Sequence, residues 1–295
     1  MAQRSVLITG SSTGIGEACA ARLAAAGWKV YAGVRRPEDG ERLTAAHSGD
    51  IEPVIVDVCD QTSIDAVIAH ITAAGTGLDG LVNNAGVSAG GPVEVLDVEE
   101  WRDVFETNLF GVLAMTKAAF PLIDAADGRF VHIGSIAGRV SSPGLGPYGA
   151  TKHSVTALNW SLRAELARIG RMKSSVIEPG EVRTAIWGKA EQQVVDQSAK
   201  LELVGLTKRY EWMLDMINGF LAEAEERAIG PDKVAEAVEH ALTSKRPKAR
   251  YLVGVDAKIQ AKLALLPDRA REFALDKAHD MYIKKGKKTR AGSAG

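Results

Sequence analysis

A phenol and an ammonium four residues apart open the chemistry of this chain. In "YGATK" Tyr148 and Lys152 fall one turn apart if the segment is helical, so both side chains share a face. An ordinary phenol titrates near pH ~10. A nearby ammonium favours the phenolate, so the pair is expected to bring proton exchange toward neutral pH. The plain alternative is a surface pair at a helix start. Two more polar residues bear on the choice. Ser135 follows the apolar run "FVHIG", and Asn108 sits in the helical pattern "FETNLFG". Alone, a serine there is usually a cap and an asparagine a local backbone partner. A nucleotide-binding loop elsewhere in the chain would favour proton exchange by Tyr148 and Lys152 over the plain reading.

Such a loop is present. "TGSSTGIG" (9–16) joins a first strand to a first helix, with Ser12, Thr13 and Ile15 set among Gly10, Gly14 and Gly16. Glycines there permit a tight turn and close backbone approach. N–H groups at the helix start would then face a diphosphate, and the helix dipole favours that charge. The spacing departs from G-x-G-x-x-G. The second strand ends "AGVRRPE", with Arg35 and Arg36 where an acid would read a ribose 2′-hydroxyl. A guanidinium binds a 2′-phosphate in forked geometry. NADP(H) is therefore favoured, and NAD(H) stays open through Glu38 or Asp39.

These residues need a scaffold. Strand-like runs at 5–10, 28–34, 52–58, 78–86, 128–135, 173–180 and 249–255 alternate with helical patterns, including long ones at 98–125 and 148–169. The runs are continuously apolar, so both sheet faces should be covered. The expected fold is α/β: a doubly wound parallel sheet of Rossmann type with helices on both faces. Residues 1–283 read as a single domain. Within it, 185–228 leaves the strand–helix rhythm and is rich in helix formers, carrying Trp187, Trp212, Met213, Met216 and Phe220, and 257–283 is a helical extension. The positions 212, 213, 216 and 220 share one helical face. The basic end, 284–295, reads as a flexible tail.

Composition narrows the classes. The net charge is -1, so no global pull toward nucleic acid is expected. Two cysteines build no disulfide framework and show no metal spacing, which favours a cytoplasmic setting. Strand-like residues from Ser5 leave no room for a signal peptide. No apolar run approaches the ~20 residues that span a bilayer, so stable membrane insertion is not expected.

Taken together, "TGSSTGIG", "NNAG" (83–86), Ser135, "YGATK" and "PGEVRT" (179–184) resemble the classical short-chain dehydrogenases/reductases over roughly residues 5–184. The C-terminal part is more loosely similar to the branch holding 17β-hydroxysteroid and retinol dehydrogenases. The resemblance implies Tyr148 as general acid/base and Lys152 as the source of its field and a partner of the nicotinamide ribose. It implies Ser135 as holder of the substrate oxygen and Asn108 as the residue that orders a relay water. Asp57 would bind the adenine amino group with Val58 beside it, unless Asp57 is a helix cap. Asn84, Ala85 and Gly86 would line the adenosine side, while Asn83 stabilises the central strand. Pro179 and Gly180 would shape a turn whose Val182 backbone and Thr184 hydroxyl touch the nicotinamide half. The segment 185–228 would be a small helical substrate lid, and Leu145 and Trp187 would face the substrate, a small lipophilic alcohol or carbonyl compound. Pairing through the two long helices would give a homodimer or homotetramer. Two other readings are carried: an NADP(H)-binding redox sensor without turnover, and an epimerase or dehydratase of the wider superfamily.

Overall fold

The computed structural model describes residues 3–75, 77–184 and 186–293, and the backbone alone for 186–191, 193, 225, 226 and 290–293. Seven strands form one parallel sheet: β1 (Ser5–Ile8), β2 (Lys29–Val34), β3 (Ile51–Ile55), β4 (Gly80–Asn83), β5 (Arg129–Ile133), β6 (Lys173–Pro179) and β7 (Arg250–Val253). Their spatial order is β3-β2-β1-β4-β5-β6-β7. The order reverses between β1 and β4, where Ile8 lies level with Val82. The crevice beyond these strand ends is the switch point at which such sheets bind ligands.

Side chains alternate across the sheet, which explains the unbroken apolar runs. Val6, Ile8, Val30, Val131 and Ile133 pack with α1 (Gly14–Ala25) and α9 (Pro231–Thr243) on one face. Leu7, Tyr31, Leu81 and Phe130 face the other way. There α3 (Gln61–Ala74), α5 (Gly111–Ala125) and α6 (Gly146–Ile169) supply Ile64, Val67, Met115, Ile123 and Leu162. A short helix, α2 (Pro37–Ala46), follows β2 with Pro37 at its start.

Three features differ from the sequence reading. The helix expected at 98–125 is α4 (Val98–Phe105) and α5, joined by a π-helical turn at Glu106–Phe110. Such a turn inserts a residue into the helical ladder and commonly marks a site; here it turns Asn108 inward. The lid is two helices, α7 (Ile186–Leu203) and α8 (Thr207–Arg227). On α8 the expected apolar face is split: Met213 is 2% exposed but Trp212 is 40% exposed. The helix is covered from two directions, so no single stripe describes it. Met213 and Ile217 lie toward Gly144, while Phe220 meets Tyr282 edge-on at 5.6 Å. Lastly, the expected flexible tail from 284 is helical. After α10 (Val255–Leu263), α11 (Asp268–Ser293) continues through Lys284–Lys288. Gly286 and Gly219 permit this, since a Cβ on Gly286 would overlap the Asp215 backbone and one on Gly219 that of Tyr282. Close helix–helix contact, added to the Lys285–Glu223 ion pair, holds the basic end in place.

Candidate active site

The glycine loop is fixed by backbone approach. Gly10 and Gly14 adopt φ of +66° and +62°, the left-handed region that glycine enters without strain. A Cβ on Gly16 would overlap the Gly10 carbonyl oxygen. Thr13 precedes α1 without a side-chain cap on the helix start. The first N–H groups of α1 thus suit an anion such as a dinucleotide diphosphate. Ile15 packs against the core below. The Ser12 carbonyl accepts a hydrogen bond from Arg42. Arg35 and Arg36 are exposed at the end of β2. Arg36 Nε pairs with Asp39 at 3.1 Å, and that pairing holds the Asp39 carboxyl below its ordinary range. The same pairing occupies Arg36, the second of the two arginines at the end of β2.

"NNAG" is tied to this loop. Thr9 Oγ1 accepts the N–H groups of Asn84 and Ala85, each at 3.0 Å. Asn84 Nδ2 donates to the carbonyls of Thr9 and Gly10, both at 2.9 Å. Gly86 lies against the Asn108 carboxamide. Asn83 turns into the core, where Nδ2 meets Thr116 Oγ1 at 3.0 Å and His132 Nδ1 at 3.1 Å. After β3, the cap of α3 is Asp60, which accepts from the Thr62 N–H. Asp57 instead closes a turn by accepting the Cys59 N–H at 2.9 Å. Val58 is buried against Gly111.

Four residues meet where β4, β5 and α6 converge. Both Asn108 amide hydrogens are taken, by the Val87 carbonyl at 2.8 Å and Thr151 Oγ1 at 3.1 Å. Its Oδ1 accepts the Val87 N–H at 2.8 Å. The side chain is thus a clamp between the loop after β4 and helix α6. Thr151 Oγ1 continues the chain to the Tyr148 carbonyl at 2.8 Å. Lys152 is buried and donates to the Ile133 carbonyl at 2.9 Å. Burial pulls its pKa down to about 8. Its Nζ stands 5.5 Å from the Tyr148 ring centre. Ser135 Oγ accepts the Ala137 N–H at 3.1 Å, capping a short 3₁₀ turn.

The expected depression of the phenol is not found in the protein alone. Burial pushes the Tyr148 pKa up, and the nearby Ser135 side chain opposes that only in part. The physical reason is shared desolvation: the pocket that hides the phenolate also weakens the ammonium meant to favour it.

Beyond β6, the Gly180 N–H reaches the Val253 carbonyl at 2.9 Å, just after Pro179 ends the strand. Val182 bridges Ile229, and the Thr184 methyl lies against Gly14. Leu145 is half-buried at the start of α6. The Trp187 side chain lies outside the described residues. Several supporting residues carry no motif. Asp256 accepts the Glu181 N–H at 2.6 Å and fills the space beside Gly180. Glu178 is fully buried between Arg139 at 2.7 Å and Arg250 at 2.9 Å, beside the 3₁₀ turn after Ser135. Burial raises the Glu178 pKa against both guanidiniums. Thr9, Thr151, Asp256 and this charged trio come together only through long-range contacts. Their one local signal is polar residues inside otherwise apolar runs.

Among the described residues no His, Cys, Asp and Glu cluster could hold a metal. The short chain dehydrogenase family model matches residues 4–195. The NADPH-dependent 3-dehydrocapnine reductase of Ornithobacterium rhinotracheale is 31% identical over 96% of this chain and 98% of its own. Retinol dehydrogenase 16 of Rattus norvegicus is 36% identical over 86% and 81%. A short-chain dehydrogenase from Streptomyces avermitilis superposes with a TM-score of 0.73 at 30% identity, covering 93% of this chain and 96% of that one. With its site at the sheet's switch point, the chain belongs to the short-chain dehydrogenase family, as an NAD(P)-dependent oxidoreductase acting on CH–OH groups.

Proposed function

We propose that the protein is an NADP(H)-dependent oxidoreductase that interconverts a lipophilic alcohol and its ketone or aldehyde, with Tyr148 as general acid/base. The observation that carries this reading is Tyr148 with the buried Lys152 ammonium 5.5 Å from its ring, on a helix clamped by Asn108 through Thr151, with Ser135 just beyond the end of β5. Bound NADPH would supply the hydride to the carbonyl carbon. Ser135 holds the substrate oxygen, and Tyr148 gives that oxygen its proton. A phenol is protonated at neutral pH, which is the state a general acid needs for carbonyl reduction. Lys152 completes the site by holding the ribose side and keeping positive charge beside the ring.

The cofactor side rests on Gly10, Ser12, Thr13, Gly14, Ile15 and Gly16 for the diphosphate, and on Arg35 and Arg36 for the 2′-phosphate. Asp57 and Val58 with Asn84, Ala85 and Gly86 take the adenosine half; Pro179, Gly180, Val182 and Thr184 take the nicotinamide half. NADP(H) is supported by the exposed Arg35 and Arg36 at the end of β2 and by the NADPH-dependent relative at 31% identity. A lipophilic substrate is supported by Met213 and Ile217 above Gly144, next to Leu145, and by the retinol dehydrogenase relative. Exposed Phe110 and Leu113 near the start of α5, with Trp160 and Ile169 on α6, support pairing of copies through those helices.

The test is nicotinamide absorbance with NADPH over a panel of lipophilic ketones and aldehydes. Tyr148→Phe should lower turnover by roughly 10²- to 10⁴-fold, the usual weight of a general acid, while leaving NADPH binding in place. Turnover that survives this substitution would remove Tyr148 from the mechanism. Tight NADPH binding with no turnover on any carbonyl would return the sensor reading.

A further inference from the structure

The C-terminal helices carry a face that the site does not use. On α11 the residues turned toward α8 are Tyr282, Lys285 and Gly286. The opposite side presents Phe273, Lys277, Met281, Lys284 and Lys288 at successive turns, with Asp276 and Asp280 along one edge, all exposed. Phe273 is 66% exposed, and the Lys277 ammonium lies 5.5 Å from its ring centre. The preceding helix repeats the pattern: Val255, Lys258, Ile259 and Lys262 share the outer side of α10. Between the helices Leu265, 82% exposed, and Leu266 stand on the connecting turn.

Monomeric surfaces seldom leave so many large apolar side chains in water without a use. Their alternation with lysine decides the use. Residues 258–288 hold nine Lys or Arg against four Asp or Glu, although the whole chain carries a net charge of -1. One of the acids, Asp268, is already paired with Arg271 at 2.6 Å. An obligate protein interface would be apolar at its centre and depleted of lysine. A helix lying on a bilayer has the composition seen here: apolar side chains enter the acyl boundary, and lysines lie along them with their ammonium groups at the headgroups. The stripe is mixed along its length, which suits lying on a membrane and not crossing one.

We propose that the outer face of α10 and α11 docks the protein reversibly on the anionic surface of a lipid bilayer. Apolar contact comes from Leu265, Leu266 and Phe273, and electrostatic attraction from Lys258, Lys262, Lys277, Lys284 and Lys288. Because α11 rests on α8, docking sets the lid helices beside the lipid.

Co-sedimentation of the full chain with vesicles tests this without any substrate, so its outcome is separate from that of the proposed carbonyl chemistry. Two vesicle types serve: phosphatidylcholine alone, and phosphatidylcholine mixed with phosphatidylglycerol. Wild type should bind the anionic vesicles roughly tenfold more strongly than the neutral ones, and high salt should release it. A variant with Leu265→Ser, Leu266→Ser and Phe273→Ser, and another with Lys258→Glu, Lys262→Glu and Lys277→Glu, should each lose roughly tenfold in vesicle affinity while keeping wild-type NADPH binding and melting temperature. Equal binding to both vesicle types, or variants that bind as wild type does, overturns the proposal. So does a wild-type dimer that the serine variant splits while vesicles capture neither form; the face would then belong to a second copy.

Discussion

The two walls of the active-site crevice are held by different forces. The cofactor wall is fastened by buried hydrogen bonds: Thr9 to Asn84 and Ala85, Asn108 to Val87 and Thr151, Lys152 to Ile133. The lid wall is fastened by exposed charges. Lys200 of α7 reaches Glu100 at 2.6 Å and Asp97 at 3.1 Å; Arg209 and Tyr210 of α8 reach Glu94 at 2.7 and 2.6 Å. Breaking a buried hydrogen bond leaves a desolvated partner and costs about 1–3 kcal/mol. An exposed ion pair contributes about 0–1 kcal/mol and weakens with salt. The difference predicts that salt loosens the lid wall more than the cofactor wall.

The comparison can be broken from the cofactor side first. Gly16→Ala drives a methyl into the Gly10 carbonyl oxygen. NADPH affinity should fall by roughly a hundredfold or more as the loop shifts, and overpacking should cost about 1–3 kcal/mol of stability. Isothermal titration and urea melts read the two effects separately. Asn108→Ala removes three hydrogen bonds that link the loop after β4 to α6. Stability should drop by about 3 kcal/mol, with turnover falling further than NADPH affinity. An unchanged melt would mean the clamp is not formed in solution.

Acid should expose a second buried element of the same wall. His132 is buried beside Asn83, and burial lowers its pKa from 6.5 to about 4. Between those values the unfolded chain takes up a proton that the native histidine does not, so stability falls as pH drops below 6.5. The loss is complete near pH 4 and amounts to about 3 kcal/mol. Melts at neutral and acid pH should show this slope shrinking in His132→Gln. The smallest effect belongs to the lid. Glu94→Gln releases Arg209 and Tyr210 and should change KM by about twofold or less, with no change in kcat and no difference from wild type at high salt. A large kcat effect would make the lid part of the catalytic site.

Much of this was legible in the residues because the determinants are local. Continuous apolar runs fix strands buried on both faces, and glycines at 10, 14 and 16 fix a loop that only they fit. A four-residue spacing fixes the shared face of Tyr148 and Lys152. The lid and tail were legible only as helical composition. Which side of α8 is buried depends on α11 and on the loop at Gly144, both distant in sequence, so periodicity put Trp212 inside when it lies outside. The tail read as flexible because its lysines offer no core, yet Gly286 lets it rest on α8.

By itself the sequence determined the parallel sheet, the nucleotide loop and the identity of the four central polar residues, since propensity, pattern and motif all act over a few neighbouring positions. Tertiary structure alone decided their state. Burial raised the Tyr148 pKa and lowered that of Lys152, against the sequence expectation of a phenol made acidic by its neighbour. The π-turn aimed Asn108 at Val87 and Thr151, and Asp256, Glu178, Arg139 and Arg250 closed around the turn segments from other strands and helices. A pKa is set by all the charge and solvent around a group, and most of what surrounds these groups is far away along the chain.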